Sequence, residues 1–229
     1  VNQHCLKGKI LFEIGQVNES ANEFKYVLER VVPDDSYSFL GLANICFRQA
    51  LNTRDNSNGE QDRFLVKAYN KYLEILYHDQ TNCYACIGLA NVLAYFNKTE
   101  DALEIFKLIS HSNQNMYEPL MNQAHLSIGL NNFEISINLY QKVLEKFMPD
   151  DLKTQMYLAK AFYRKGDFDA SKNLTLALIS RHPNIIGLKF NLALCLYQQA
   201  DKIFNQEIRR VHLTKEAISN LKQSLKLFH

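Results

Sequence analysis

Along the chain, small residues recur at two sites in a fixed register. The first site holds Gly8, Ala43, Ala90, Ala124, Ala159 and Ala193, and the second holds Ser20, Ala68, Ala102, Ser136, Ser171 and Ala217. Most intervals within each series are 34 or 35 residues; the exceptions are 47 in the first and 48 and 46 in the second. Small side chains at fixed places let two helices of a hairpin cross at about 8–10 Å. Four residues after the second site come Phe24, Tyr72, Phe106, Tyr140 and Leu221, with Thr175 breaking the series. Three further on come Val27, Ile75, Ile109, Val143 and Leu178, with Ser224 breaking it. Spacings of four and then three put these groups on one face of a helix, the face expected to be buried. Pro33, Pro149 and Pro183 close second helices, and Pro119 sits in the first turn of a first helix, where a missing N–H costs nothing.

A period of 34 residues with this signature is that of the tetratricopeptide repeat. The expected fold is all-α: a right-handed superhelical solenoid of six helical hairpins, with repeats at about 1–34, 35–82, 83–116, 117–151, 152–185 and 186–229. Each repeat buries its apolar face on the next, so residues 1–229 read as one array. Two repeats carry insertions. Around 52–60 the run Asn52-Thr53-Arg54-Asp55-Asn56-Ser57-Asn58-Gly59 is polar and turn-forming, and reads as a flexible loop in the second repeat. At 197–211 the residues Ala200, Ile203, Phe204, Ile208 and Val211 keep helical spacing. That predicts one long helix in the sixth repeat, from about Ile185 to about Arg210. Such an extension either projects toward another surface, through Ile203, Phe204, Ile208, Arg209 and Arg210, or folds back on this chain.

Composition agrees with an ordered helical array: 229 residues, 47% apolar, 8 Gly and 4 Pro. No stretch approaches the roughly 20 apolar residues of a membrane span. The start carries neither an initiator Met nor a signal-like segment, so the sequence reads as a piece of a longer protein whose end faces need neighbouring repeats or partners.

Candidate chemistry is sparse. Cys83-Tyr84-Ala85-Cys86 is a lone CxxC, where zinc would want four ligands, and five scattered cysteines point to a reducing compartment. Seven scattered histidines form no metal or protease pattern, and no phosphate-cradling glycine loop is present. No enzyme activity, cofactor, metal or small-molecule substrate is expected. A net charge of +2 is too mild for a duplex-binding footprint, so direct nucleic-acid binding is not expected either. The last thirty or so residues are more basic, and read best as a solvated helix face.

What remains is binding. First helices line the concave side of such arrays. They carry Leu40, Ile87, Met121, Met156 and Phe190 at one inward position, accompanied by Tyr37, Tyr84, Tyr95, Tyr157 and Tyr163. Asn44, Asn91, Asn122, His125, Lys160 and Asn191 share that face. Such a groove suits protein recognition unless its own packing fills it. Co-chaperone members of the repeat family hold a C-terminal carboxylate with a set of Asn, Lys and Arg residues. Asn91, Asn122 and Lys153 match part of that set, but Ile87 and Tyr157 stand where cations are needed.

The stretches Asp35-Ser-Tyr-Ser-Phe-Leu-Gly-Leu-Ala-Asn44, Tyr157-Leu-Ala-Lys-Ala-Phe-Tyr-Arg-Lys-Gly166 and Phe190-Asn-Leu-Ala-Leu-Cys195 resemble one repeat family closely, as do Gln61-Asp62-Arg63 and the long helix before Ala217. The chain resembles the tetratricopeptide scaffold subunits of the RNA polymerase II-associated factor complex, over its whole length and including both insertions. The resemblance implies a nuclear, non-enzymatic scaffold in transcription elongation and in histone modification on transcribed genes. It also implies that the partners are the other subunits of that complex and the polymerase. The alternative is a cytosolic co-chaperone or peptide-binding adaptor.

Overall fold

The computed structural model describes residues 1–53, 59–205 and 211–228. Among them are twelve α-helices and no strand. The chain divides into two compact units, Val1–Pro119 and Leu120–His229. No helix among the described residues is long and apolar enough to cross a membrane.

The first unit contains α1 (Asn2–Glu13), α2 (Val17–Arg30), α3 (Ser36–Asn52), α4 (Glu60–His78), α5 (Cys83–Tyr95) and α6 (Thr99–Ser112). Each helix packs on the next, in hairpins stacked side by side, and α3 also touches α1 and α5. Helices α3 and α5 begin at side-chain caps, whereas α1 has none. Asp35 accepts from the Ser38 amide (2.8 Å) and hydroxyl (2.6 Å), and Asn82 accepts from the Ala85 amide (3.1 Å). These acceptors satisfy amides that the first turn leaves without partners.

The second unit contains most of α7 (Glu118–Gly129), then α8 (Phe133–Lys146), α9 (Leu152–Lys165), α10 (Phe168–Arg181), α11 (Ile186–Phe204) and α12 (Val211–Phe228). From α8 to α12 each helix again packs on its successor. Asp151 caps α9 as Asp35 caps α3, accepting from the amide and the hydroxyl of Thr154, both at 2.7 Å. Gly166 ends α9 at φ 87°, a left-handed cap that glycine adopts without a Cβ clash.

All twelve small residues of the register are buried. The two residues that break the apolar series are buried as well, and their hydroxyls are satisfied. Thr175 donates to the Ser171 carbonyl (2.7 Å) and Ser224 to the Ala193 carbonyl (2.9 Å). Ser20 and Ser171 tie the two helices of their own hairpins together, donating to the carbonyls of Gly8 (2.7 Å) and Ala159 (2.9 Å). At Ser20 and Ser171 a serine fits the same narrow crossing as an alanine and adds a buried hydrogen bond.

Rings from second helices fill the space between hairpins. Phe24 lies so close to Gly41 that a Cβ there would meet the ring at 2.5 Å, and at Gly88 a Cβ would meet Tyr72 at 2.3 Å. Helix α3 can approach α2, and α5 can approach α4, only because these positions carry no side chain.

Each insertion also lengthens the helices on either side of it. Both add about a turn to each helix of their hairpin. Helices α3 and α4 have 17 and 19 residues against 13 and 14 in α5 and α6; α11 and α12 have 19 and 18 against 14 and 14 in α9 and α10. The added turns are packed, with Ala50 buried at one tip and Ala200 at the other. Residues 54–58, the centre of the expected loop, lie outside the described residues. So do Ile208, Arg209 and Arg210. Helix α11 stops at Phe204, short of the expected reach to about Arg210, and Asn205 closes it by donating to the Asp201 carbonyl (3.0 Å). Its last turns do not project: they lie along α12, Ile203 and Phe204 are half-buried, and Gln199 bonds Asp169 of α10 (2.6 Å). An apolar stripe on an extended helix is covered most readily by an equally extended partner next in sequence, and α12 supplies it.

Candidate functional site

Each unit carries a cleft between successive first helices. In the first unit a cavity of about 360 Å³ is walled by Phe12 and Glu13 of α1, Tyr37, Leu40, Gly41 and Asn44 of α3, and Tyr84 of α5, with Phe24 at its floor. Four residues expected on the binding face meet here: Tyr37, Leu40, Asn44 and Tyr84. Tyr37 and Tyr84 are 44% and 60% exposed, so the cleft is not filled by its own aromatics. Ile87 and Asn91 lie on α5, half-buried, outside the cleft lining. Tyr95 packs edge-on against Phe47 at 5.5 Å between centroids.

In the second unit a cleft of about 440 Å³ lies between α9 and α11, with Ser171 and Thr175 of α10 as its floor. It gathers the expected Met156, Tyr157, Lys160, Tyr163 and Asn191 and adds Arg164, Leu194 and Cys195. Phe190, half exposed, is adjacent in sequence on α11 but does not line it. On α7, Met121 and Asn122 are half-buried; Met121 packs into the core of this unit and accepts a weak contact from the Thr154 hydroxyl at 3.7 Å.

Two residues expected to present hydrogen-bonding groups to the groove are occupied within the fold. The Tyr72 hydroxyl donates to Asn44 Oδ1 at 2.6 Å. The Tyr140 hydroxyl lies 2.6 Å from His125 Nδ1. Burial pushes the Tyr140 phenol well above its ordinary range, so it keeps its proton and donates; His125 Nδ1 accepts and the ring proton sits on Nε2. Burial, and then the nearby Lys160 ammonium, hold the His125 pKa below the ordinary imidazole value, so the ring is neutral at pH 7. Tyr157 stacks on Tyr140 at 6.0 Å and 14°, and meets His125 edge-on at 4.5 Å.

A sequence signal for these pairs exists and was missed. Asn44 and His125 each directly follow the first small residue of their repeat. These are the two hairpins whose second helix carries Tyr, at Tyr72 and Tyr140, at the large-residue position. Where that position holds Phe24 the residue after the small site is Lys9, and where it holds Phe106 that residue is again an asparagine, Asn91, so it is the tyrosine that marks the pair. Arg164 and Leu194 were also missed: Arg164 lies one turn beyond Lys160, and Leu194 occupies the same repeat position as Asn44 and His125.

All five cysteines are free thiols, and no group of three or more potential metal ligands occurs among the described residues. Cys83 accepts from the Asn113 amide at 2.6 Å, while burial raises the thiol pKa of Cys86.

Residues 121–178 match the tetratricopeptide repeat family. Among solved structures, a tetratricopeptide repeat protein from Parabacteroides merdae superposes with a TM-score of 0.63 at 17% identity, covering 100% of this chain and 93% of that one. A thermophilic repeat protein from Thermus thermophilus gives 0.65 at 14% identity, covering 85% and 98%. At these identities the likeness is one of fold. Among curated proteins, the RNA polymerase-associated protein CTR9 of Caenorhabditis elegans is 28% identical over 97% of this chain and 20% of its own length. Its namesake in Saccharomyces cerevisiae is 29% identical over 92% of this chain and 21% of that protein. The CTR9 homologue of Arabidopsis thaliana is 22% identical over 85% and 18%. The chain thus spans about a fifth of the curated relatives it matches, and over 85–97% of its own length it is similar to a segment of the CTR9 proteins, with the helical hairpins of the tetratricopeptide repeat.

Proposed function

We propose that this chain is part of a non-enzymatic protein–protein interaction scaffold of a nuclear RNA polymerase II-associated elongation complex. In this reading it supports transcription elongation and co-transcriptional histone modification, and its partners are the polymerase and other subunits of the complex. The cleft of each unit is where a partner segment enters. The observation that carries the reading is the similarity to CTR9 proteins of three organisms across 85–97% of this chain. Half-exposed aromatics around each cleft support it, because such surfaces lose water when a partner covers them. The co-chaperone alternative has less support: Tyr157, where a carboxylate-binding set needs a cation, is stacked on Tyr140.

The test is affinity purification of the tagged full-length protein from its native cell, with mass spectrometry. Polymerase II subunits and elongation factors are expected with the natural sequence, at reduced yield with Tyr37→Ser plus Tyr84→Ser. Recovery of chaperones without polymerase would overturn the reading.

A further inference from the structure

The two clefts differ in charge. The first carries Lys9 and Glu13 on its wall, one cation and one carboxylate a helical turn apart. The second carries Lys160 and Arg164 and no carboxylate. Neither cation forms an ion pair among the described residues. The nearby cations Lys165 and Lys172 are instead engaged, with Glu134 (3.1 Å) and Asp169 (3.5 Å). Arg164 lies over the Phe133 ring at 5.9 Å. Both residues are exposed, whereas the apolar part of the cleft between them and α11 is made by Met156, Tyr157 and Leu194.

From this we infer that the second unit's cleft takes an acidic linear segment of a partner protein, with two carboxylates flanking an apolar side chain. The inference rests on reading the cleft as a partner-binding surface and adds the chemistry of what enters. Lys160 and Arg164 are four residues apart on α9, so their positions are offset by about 6 Å along the helix axis. In an extended chain, alternate residues are spaced about 6.7 Å apart. An acid-x-acid segment running along α9 therefore brings one carboxylate to each cation. A single phosphate would instead need both donors to converge on one point. Asn191, on the facing helix, is placed to bond the segment's backbone. The guanidinium of Arg164 can hold its carboxylate through two N–H groups, while Lys160 acts as a point charge.

The test uses the full-length protein and a phage-displayed library of random peptides about a dozen residues long. Enriched sequences are expected to carry two acids around an aromatic or aliphatic residue. A labelled peptide of that consensus should bind about tenfold more weakly to Lys160→Glu plus Arg164→Glu, a double change on exposed positions that leaves the circular dichroism spectrum unaltered. Replacing Glu with Gln in the peptide should weaken binding to the natural protein by a similar factor. Neutral or basic consensus sequences, no enrichment, or equal binding by the reversed variant would overturn the inference. So would an RNA oligonucleotide that competes for the same cations more tightly than the peptide. Polymerase recovery from cells is a separate readout: its loss in a protein that still binds the acidic peptide counts against the scaffold reading alone.

Discussion

In the first unit the ring of a second helix is received by a glycine on the following first helix, Phe24 by Gly41 and Tyr72 by Gly88. In the second unit the equivalent place beside Tyr140 is Tyr157, and the two rings stack. Glycine makes a contact that is sterically pinned and tolerates no added atom. A stacked tyrosine makes one that spreads sideways, to His125 and into the cleft whose wall Tyr157 forms. Packing and candidate recognition are therefore separate residues around Gly88 and shared residues around Tyr157.

The comparison breaks most readily at the glycine. Gly88→Ala would put a Cβ 2.3 Å from the buried Tyr72 ring, and overpacking of this kind costs about 1–3 kcal/mol. A lower urea midpoint is expected, and an unchanged midpoint would mean the ring has room to move. The hydroxyl pairs come next. Tyr140→Phe and Tyr72→Phe each leave a partly buried acceptor without its donor, a loss of about 1–2 kcal/mol. A loss in only one of the two would show that the pairs are not equivalent.

His125 sharpens the contrast through pH. Its folded pKa lies below the unfolded imidazole value of about 6.5, so between the two values the unfolded chain binds more protons. Its contribution to stability is therefore complete above pH about 6.5 and is lost as pH falls below it. His125→Asn gives the second unit the Asn–Tyr pair of the first. It should keep the hydrogen bond and flatten the dependence of thermal midpoint on pH between about 5 and 7. The smallest effect has the opposite sign. Nothing lies within 4 Å of a Cβ added at Gly187 in α11, so Gly187→Ala should stabilise by up to about 1 kcal/mol through helix propensity alone.

How much of this was legible beforehand depended on the range of the interaction. The buried register was legible down to its exceptions, because a helix face is set by spacings of three and four, and Thr175 and Ser224 keep those spacings whatever their polarity. Roles set by a partner far along the chain were not. The sequence places Asn44 and His125 on the groove face, and only the placement of Tyr72, 28 residues on, and Tyr140, 15 residues on, shows where their acceptors point. The two insertions were read as different in kind because one is polar and the other apolar. Composition distinguished their surfaces and concealed their shared outcome, a longer pair of helices.

That shared outcome bears on how such a chain can change length. Ala50 and Ala200 are fully buried beyond the point where an ordinary hairpin ends, so the added turns continue the same contact face instead of starting a new one. Because an α-helix turns by about 100° per residue, losing a single residue between Ala43 and Ala50 would swing everything beyond it off that face. Removing a whole turn from both helices at once would keep the faces matched. Hairpins of this kind are therefore free to vary in steps of a turn, taken on both arms together, and closed to the single-residue changes that loops elsewhere absorb.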